Sequence, residues 1–289
     1  MTPPKKKKPM KESLSNHMLP VGLALSGGTA KAVTHVGVIK ALAEENVPIS
    51  HIAATSGGAV VGAFHASGMP ISSMVDLANN LKWSRLISIR LSRLGFVSSQ
   101  RIEDFVKSII GDVTFEELKM PFHVVATNLE TGRKHVFNSG PVARAVRASC
   151  SIPQIFLPVE IGGNYYVDGG FSEYLPVGTL HEIDEMFVIG VHLAHTRGIY
   201  RRPKNYLQLA MHIMGLVAKT NYVVSRERAD LLIHPHMDDY NPFDFDTSQA
   251  LIELGYRMTK DLMPEIHRTW KSKSSRWHKL MQRLHFRQS

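Results

Sequence analysis

The chain has 289 residues, 44% hydrophobic and 20% charged, which is the composition of a globular protein and excludes a disordered one. Its single cysteine excludes an internal disulfide and any cysteine-rich zinc site. The net charge of +9 lies at the ends. Five lysines and one glutamate give +4 in residues 1–12, seven basic residues and one glutamate give +6 in residues 265–289, and −1 remains for residues 13–264. A surface coated with positive charge for nucleic acid is therefore excluded, and no specific nucleic-acid partner is expected.

The first predicted elements follow a repeated strand–glycine–helix pattern. An apolar run at 21–26 predicts a buried strand, Gly27 and Gly28 end it, and helical periodicity follows over 32–45. A second short strand at 51–56 is again followed by two glycines and a helix that ends near residue 67. This alternation is typical of a parallel α/β sheet covered by helices on both faces.

The remaining elements extend this pattern to the C-terminal region. We predict further strands at 122–127, 134–137, 156–161, 164–167, 186–192 and 230–234. Helices are predicted at 71–82, 101–110, 141–149, 203–226 and 248–262. Apolar content falls after Pro264, so we divide the chain into a disordered basic tail (1–18), a central domain (19–264) and a basic amphipathic segment (265–289). No apolar run reaches the ~18–20 residues of a spanning helix.

The first segment that could carry chemistry is SGGTAKA, residues 26–32, between a strand and a helix. Glycines allow a sharp turn with free N–H groups, and a helix N-terminus favours negative charge, as an oxyanion site requires. The segment matches neither the Walker pattern nor G-x-G-x-x-G. By itself it is equally consistent with a tight structural turn, and a nucleotide-binding protein is a third hypothesis that rests on the glycine turns alone.

Two shorter motifs add candidate reactive side chains. In ATSGG, residues 54–58, Ser56 lies on a strand-to-helix turn among small residues, as in a nucleophile elbow, although a serine N-cap looks the same in sequence. In VDGG, Asp168 could be a turn residue, a metal ligand or a base. Together the three segments supply an oxyanion loop, a nucleophile and a base for acyl transfer. None of the 15 histidines has a triad context or metal-ligand spacing, so we predict neither a metal nor a cofactor.

In this order, the motifs resemble those of the patatin-like phospholipases, in the bacterial single-domain branch related to the catalytic domain of neuropathy target esterase. The resemblance covers about residues 20–262 and includes GLALSGGTAKAVTHVGVIKAL, ATSGGAVVGA, RAVRASCSIPQIFLPV and YYVDGG. It implies a three-layer α/β/α sandwich with a mostly parallel central sheet. It also implies a serine acyl hydrolase that cleaves phospholipid or lysophospholipid esters.

The resemblance also implies roles for individual residues. Ser56 is the expected nucleophile and Asp168 the expected general base, in a dyad without histidine. The oxyanion hole would be formed by Gly27, Gly28, Thr29 and Lys31, and the elbow and turn would be supported by Ala54, Gly57, Gly58, Gly169 and Gly170. A free aspartate has a pKa of ~3.9 and is a weak base for a hydroxyl, so the dyad must be desolvated.

The sequence departs from the family pattern at several of these positions. Thr29, Ala32 and Ala54 stand where the family has glycines, and SEYLPV (172–177) lacks an asparagine usual near the Pro-Val pair. Thr29 matters most, because a β-branched residue is strained if the position needs a positive φ. The alternative function is therefore a patatin-fold lipid-binding protein with little or no activity.

The charged ends lead to an expectation about location. Residues 1–12 and 265–289 are expected to hold a cytoplasmic protein peripherally at the anionic inner face of a membrane. For the C-terminal segment the alternative is a helix packed on the domain, with its basic face in solvent. Residues 83–100 are a candidate mobile cap over the site. The oligomeric state is not predicted.

Overall fold

The computed structural model describes residues 18–82, 86, 97–193, 202–203, 206–237, 240–241 and 244–285. The tail at 1–17, most of the candidate cap at 83–100 and the last four residues lie outside this range. So do the side chains of Leu207, Met211 and residues 282–285.

The strands in the described part of the chain are β1 Val21–Leu25, β2 Ile49–Thr55, β3 Phe122–Asn128, β4 Lys134–Phe137, β5 Val159–Ile161, β6 Asn164–Asp168, β7 Phe187–Val191 and β8 Leu231–Ile233. These eight form one mixed sheet in the order β5-β6-β3-β2-β1-β7-β8, with β4 also paired to β3. The five strands from β3 to β8 in this order are parallel, and β4 and β6 run antiparallel to β3.

Helices cover both faces of the sheet. The described α-helices are α1 Thr34–Glu44, α2 Gly57–Ala66, α3 Ile71–Asn79, α4 Gln100–Ile110, α5 Val142–Ser149, α6 Val177–His181, α7 Tyr206–Arg228 and α8 Ser248–His285. Short 3₁₀ turns occur at Thr29–Val33, Phe115–Glu117 and Gly169–Phe171.

Alternate side chains of the central strands enter two separate cores, as the period of a β-strand requires. Leu23 and Ile52 point into the larger core, which α1, α2 and α8 cover. Ala24 and Ala53 point into a smaller core on the other face, with α6 residues and Tyr222 of α7. Two cores on either side of one sheet confirm the predicted three-layer α/β/α sandwich.

The last helix is longer than the 248–262 predicted from sequence. It continues through Pro264 to His285, so the boundary placed after residue 264 lies inside one helix. The Trp270 indole N–H donates to the Leu19 carbonyl at 2.8 Å, and the Ser274 hydroxyl accepts the Leu19 N–H at 2.9 Å. Ile266, Trp270 and Trp277 of the C-terminal segment pack on the larger core, as in the packed alternative left open above, whereas Leu280 is exposed.

The length and the apolar character of a helix decide whether it can cross a membrane. Among the residues that the structure describes, none of the helices combines the length and the apolar character needed to cross a bilayer.

Candidate active site

The turn after β2, residues 55–58, is called the serine turn here. Ser56 follows β2 and precedes α2. Its backbone has φ 52° and ψ −127°, a conformation that residues other than glycine rarely adopt. Its backbone N–H donates to the Ser149 hydroxyl at 2.8 Å, and that hydroxyl donates to the Val125 carbonyl at 2.6 Å. Contacts with β3 and α5 therefore stabilise the strained conformation of the serine turn, as is typical of functional turns.

Small residues around Ser56 allow α2 to pack tightly on the sheet. A Cβ added at Gly58 would lie 2.5 Å from the Ser26 carbonyl oxygen, and one at Gly57 would lie 2.8 Å from the Ala32 Cβ. Ala54 is fully buried in β2 beneath the same helix. The glycines are required because the backbone of α2 touches the turn that follows β1.

That second turn, residues 26–29, is called the glycine loop. Its carbonyl groups face protein donors: the Ser26 carbonyl accepts His35 Nε2–H at 2.9 Å, and the Gly27 carbonyl accepts the Tyr174 hydroxyl at 2.7 Å. Among the described residues, none accepts a hydrogen bond from the Gly27 or Gly28 N–H. A Cβ added at Gly27 would be 3.3 Å from the Ser56 Cβ, so the glycine loop lies directly beside the serine.

Thr29 ends the glycine loop in the left-handed region, with φ 50°. Its hydroxyl donates to the Gly28 carbonyl at 2.7 Å. This position therefore has a positive φ, and a β-branched residue occupies it, which is the strained case considered from the sequence. Thr29 begins a 3₁₀ turn whose next four residues, 30–33, are buried.

Lys31 lies in the 3₁₀ turn that follows Gly28. It is 2% exposed, and its ammonium donates to the Met237 carbonyl beyond β8 at 2.7 Å. This contact ties the 3₁₀ turn to the segment after the edge strand of the sheet.

Asp168 lies in the same row of the sheet as Ser56. Thr55 of β2 pairs with Val125 of β3, and the next residue of β3, Ala126, pairs with Asp168 of β6. Two strand spacings of about 4.8 Å separate the backbones, a gap that the two side chains can close. The antiparallel β6 thus carries the carboxylate to the edge where β2 delivers the serine.

The carboxyl group of Asp168 is completely buried. Burial raises its pKa to about 7, against the opposing effects of the Ser56 hydroxyl and the Gly170 N–H. The Gly170 N–H donates to Oδ1 at 2.8 Å, while Oδ2 has no hydrogen-bond partner at normal distance among the described residues. A Cβ at Gly169 would lie 2.2 Å from the Val125 carbonyl oxygen, so glycine is required in this turn. Near neutral pH, Asp168 therefore has the proton affinity of a general base.

An apolar cavity of about 350 Å³ adjoins Ser56. Its wall is formed by aliphatic and aromatic side chains on the larger-core side of the sheet, among them Val60, Leu81, Phe105, Ile155, Phe156 and Phe245. Thr29, Ser56 and Cys150 also line it. A reactive hydroxyl at the edge of an apolar cavity suits an ester with an apolar acyl group.

A family model described as Patatin-like phospholipase matches residues 23–181, more than half of the chain. The chain belongs to the patatin-like phospholipase family. The matched region contains the glycine loop, the serine turn and Asp168.

Relatives and a solved structure agree with this membership. A protein of Mycobacterium tuberculosis, described as an uncharacterized NTE family protein, is 37% identical over 176 residues, which cover 60% of this chain and 49% of the relative. The lysophospholipase nte1 of Emericella nidulans is 26% identical over 277 residues, 85% of this chain and 18% of that protein. This patatin-like chain thus spans about half of one relative and less than a fifth of the other. The crystal structure of VipD from Legionella pneumophila has the same fold, with a TM-score of 0.56 at 18% identity over 86% of this chain and 67% of that one.

Three residues around Ser56 and Asp168 of this patatin-like chain were not predicted from the sequence. Ser149 holds the serine turn, and Tyr174 holds the Gly27 carbonyl. Cys150 is buried, and its thiol interacts with Ser56. Ser149 and Cys150 lie in the ASCSIP stretch that carries the family resemblance, so the sequence contained a signal for a role near the site. Tyr174 lies in SEYLPV, where no sequence feature indicated such a role.

Proposed function

We propose that the protein is a serine acyl hydrolase that cleaves carboxylic esters of lipids through a dyad of Ser56 and Asp168. One observation carries the proposal: a serine in a strained turn interacts with a buried carboxyl group of pKa about 7 and lines an apolar cavity. A carboxylate of ordinary pKa would be a weak base here, whereas one near 7 combines basicity with the correct protonation state at neutral pH.

The proposed reaction has two halves. In the first, Ser56 Oγ attacks the ester carbonyl carbon while its proton passes to the Asp168 carboxylate. The resulting oxyanion is stabilised by the N–H groups of the glycine loop, and collapse expels the alcohol, which takes the proton from Asp168. In the second half, water attacks the acyl-enzyme and gives a proton to Asp168. Release of the fatty acid then returns that proton to Ser56.

The proposed substrates are phospholipids or lysophospholipids. The cavity wall beside Ser56 is almost wholly apolar, which suits an acyl chain and gives no buried charge for a polar acyl group. Family membership and the lysophospholipase name of the fungal relative support the same class.

The alternative, a lipid-binding protein with a defective oxyanion hole, was motivated by Thr29. Two observations favour the hydrolase. The left-handed conformation at Thr29 is adopted despite the side chain, and the carbonyls of the preceding residues are already turned to His35 and Tyr174. A protein without catalytic use for Asp168 would also have no reason to retain a buried, partly unpaired carboxyl group, which is destabilising.

Labelling with a fluorophosphonate tests the proposal most directly. Wild type is expected to form a covalent adduct at Ser56 and to hydrolyse a soluble short-chain ester. Ser56→Ala removes both, and Asp168→Asn lowers turnover by about 10²–10⁴-fold, the range for a lost general base. Mass spectrometry of the adduct and initial rates are the measurements.

Matched variants separate chemistry from folding. Ser67→Ala removes another hydroxyl at the end of α2, and Asp230→Asn removes a carboxylate that pairs with Lys273 at 2.9 Å. Both should keep the labelling and most of the ester turnover. A wild-type protein that is folded but neither labels nor hydrolyses any ester would make the lipid-binding alternative the better hypothesis.

Peripheral contact with anionic membranes through residues 1–12 and 265–289 stays part of the proposal. Within the described part of the C-terminal segment, Arg268, Lys271, Arg276 and Lys279 are exposed on the solvent side of α8. Such cations would add electrostatic attraction of about 1 kcal/mol each near an anionic surface.

A further inference from the structure

Helix α7 carries an unusual share of the apolar surface. Nine large hydrophobic side chains are exposed among the described residues, and five of them lie on this one helix. They are Tyr206, Leu209, Leu216, Val223 and Val224, with exposures of 45–61%. The seven-residue spacing of Leu209, Leu216 and Val223 places these three on one helical face, and Tyr206 and Val224 lie beside it. An exposed apolar stripe of this kind marks an interaction surface.

The opposite face of α7 contacts the catalytic turn. The Asn221 side-chain amide donates to the Gly170 and Phe171 carbonyls at 3.3 Å, directly after Asp168. A Cβ added at Gly170 would lie 2.4 Å from the Met214 Cε, and Tyr222 stacks on His192 at the end of β7 with ring centroids 3.8 Å apart. The helix therefore lies directly against the turn that carries the proposed base.

The length of α7 takes it past the edge of the sheet where the dyad lies. Its 23 residues extend about 34 Å, whereas the five-residue strand β7 beside it extends about 17 Å. Because Met214 already packs at the level of Gly170, the first two turns, with Tyr206 and Leu209, project beyond that edge. The stripe runs from this projection along the outer side of the molecule.

Charge on α7 favours an anionic lipid surface over a second copy of the chain. The helix has three basic residues and one acid, and Lys219 and Arg226 are exposed along one flank of the stripe. Two copies facing each other through this surface would bring like charges together. An interfacial helix in a bilayer has this arrangement: apolar side chains in the acyl region and cations at the headgroups.

We infer that the outer face of α7 is the surface through which the protein docks on an anionic lipid bilayer, with the apolar stripe entering the interface. The inference rests on the proposed function, because a hydrolase of bilayer lipids needs its site at the membrane. It assigns the apolar contact to α7, whereas the C-terminal segment, with its tryptophans packed on the domain, offers charge.

The test uses the full chain and vesicles of phosphatidylcholine with or without an equal part of phosphatidylglycerol. Leu216→Glu combined with Val223→Glu should reduce sedimentation with anionic vesicles about tenfold or more. Hydrolysis of vesicular phospholipid should fall in parallel, while turnover of a soluble short-chain ester stays within about twofold. Lys219→Gln with Arg226→Gln should weaken binding several-fold and reduce its dependence on salt.

The matched control uses an exposed apolar residue elsewhere. Ile183→Glu, after α6, should leave vesicle binding unchanged. Unchanged binding of the α7 double variant, or no binding by wild type, would overturn the inference. So would a dimer that the double variant converts to a monomer without loss of vesicle binding. Vesicle binding needs no turnover, so binding through α7 by a protein that neither labels nor hydrolyses esters would refute the hydrolase alone.

Discussion

The glycine loop and the serine turn use the same backbone device for different purposes. Each follows a parallel strand and places a non-glycine residue in the left-handed region, Thr29 at φ 50° and Ser56 at φ 52°. In the serine turn, the Ser56 N–H is held by its hydrogen bond to the Ser149 hydroxyl, and the Ser56 side chain is left to react. In the glycine loop, His35 and Tyr174 instead hold the carbonyls of Ser26 and Gly27, and the N–H groups of the loop are left to bind an anion. Under the proposed function, one kind of turn therefore presents a nucleophile in one case and an anion site in the other.

The two turns also differ in whether their supports titrate near neutral pH. Burial lowers the pKa of His35, beneath the glycine loop, to about 4, and burial raises the pKa of Tyr174 above its ordinary value. Both therefore stay neutral over the working range. The serine turn instead faces Asp168, whose pKa is about 7. Charge changes at neutral pH thus affect the nucleophile, while the anion site keeps a constant environment.

The largest effect is expected where the two turns touch. In Gly58→Ala the new Cβ would lie 2.5 Å from the Ser26 carbonyl oxygen and 2.7 Å from that of Leu25, and backbone atoms cannot rotate away. The turns must separate, so kcat on a soluble ester should fall about 100-fold, as for a misplacement near 1 Å. The free energy of unfolding should fall by about 1–3 kcal/mol, measured by urea titration.

Gly22→Ala is the matched control, because its Cβ would lie 2.4 Å from the Met186 sulfur, at the opposite end of β1. A flexible methionine can move, so this variant should lose stability with little loss of kcat. Equal kcat losses in the two variants would show that general destabilisation, and not contact between the turns, limits the rate.

The second effect follows from the ionisation of Asp168. The base acts only as a carboxylate, so kcat/KM should be constant well above pH 7 and fall as the pH decreases through about 7. Between pH 8 and pH 6 the loss should be about tenfold, the slope of log kcat/KM against pH should approach one only below about pH 6, and fluorophosphonate labelling should follow the same curve. Circular dichroism over this range checks that the fold is unchanged. A midpoint near 4, or a second ionisation between pH 5 and pH 9, would contradict the single-base assignment.

Much of this comparison was predictable from sequence, because the local pattern determines each turn. Short apolar runs followed by glycine pairs predicted β1 and β2, and the order of motifs predicted the family, which the matching family model confirms. Parallel strands bring their carboxyl ends to one edge of a sheet, which explains why the glycine loop and Ser56 are neighbours. The structure places them in contact.

Contacts between distant segments were not predictable in the same way. The interaction of Tyr174 with Gly27 spans 147 residues, and the spacing of Asp168 from Ser56 depends on β6 running antiparallel to β3. The pKa of Asp168 depends on complete burial, which no local pattern encodes. The extension of α8 through Pro264 was missed because proline usually disfavours a helix interior, and packing on the domain compensates here.

The smallest effect is expected at Thr29, where two opposing terms nearly cancel. Thr29→Gly relieves a left-handed conformation that costs about 1–2 kcal/mol, but glycine has about 0.5–1 kcal/mol more backbone entropy to lose on folding. The free energy of unfolding should therefore rise by less than about 1 kcal/mol. Because threonine already holds the conformation that glycine would adopt, kcat should change less than about threefold. Thr29→Asn, which tolerates positive φ, should behave alike, and Thr29→Ala should gain nothing. A rise in kcat of tenfold or more in Thr29→Gly alone would show that the threonine distorts the N–H groups, and that the glycine loop, unlike the serine turn, is impaired by its strain.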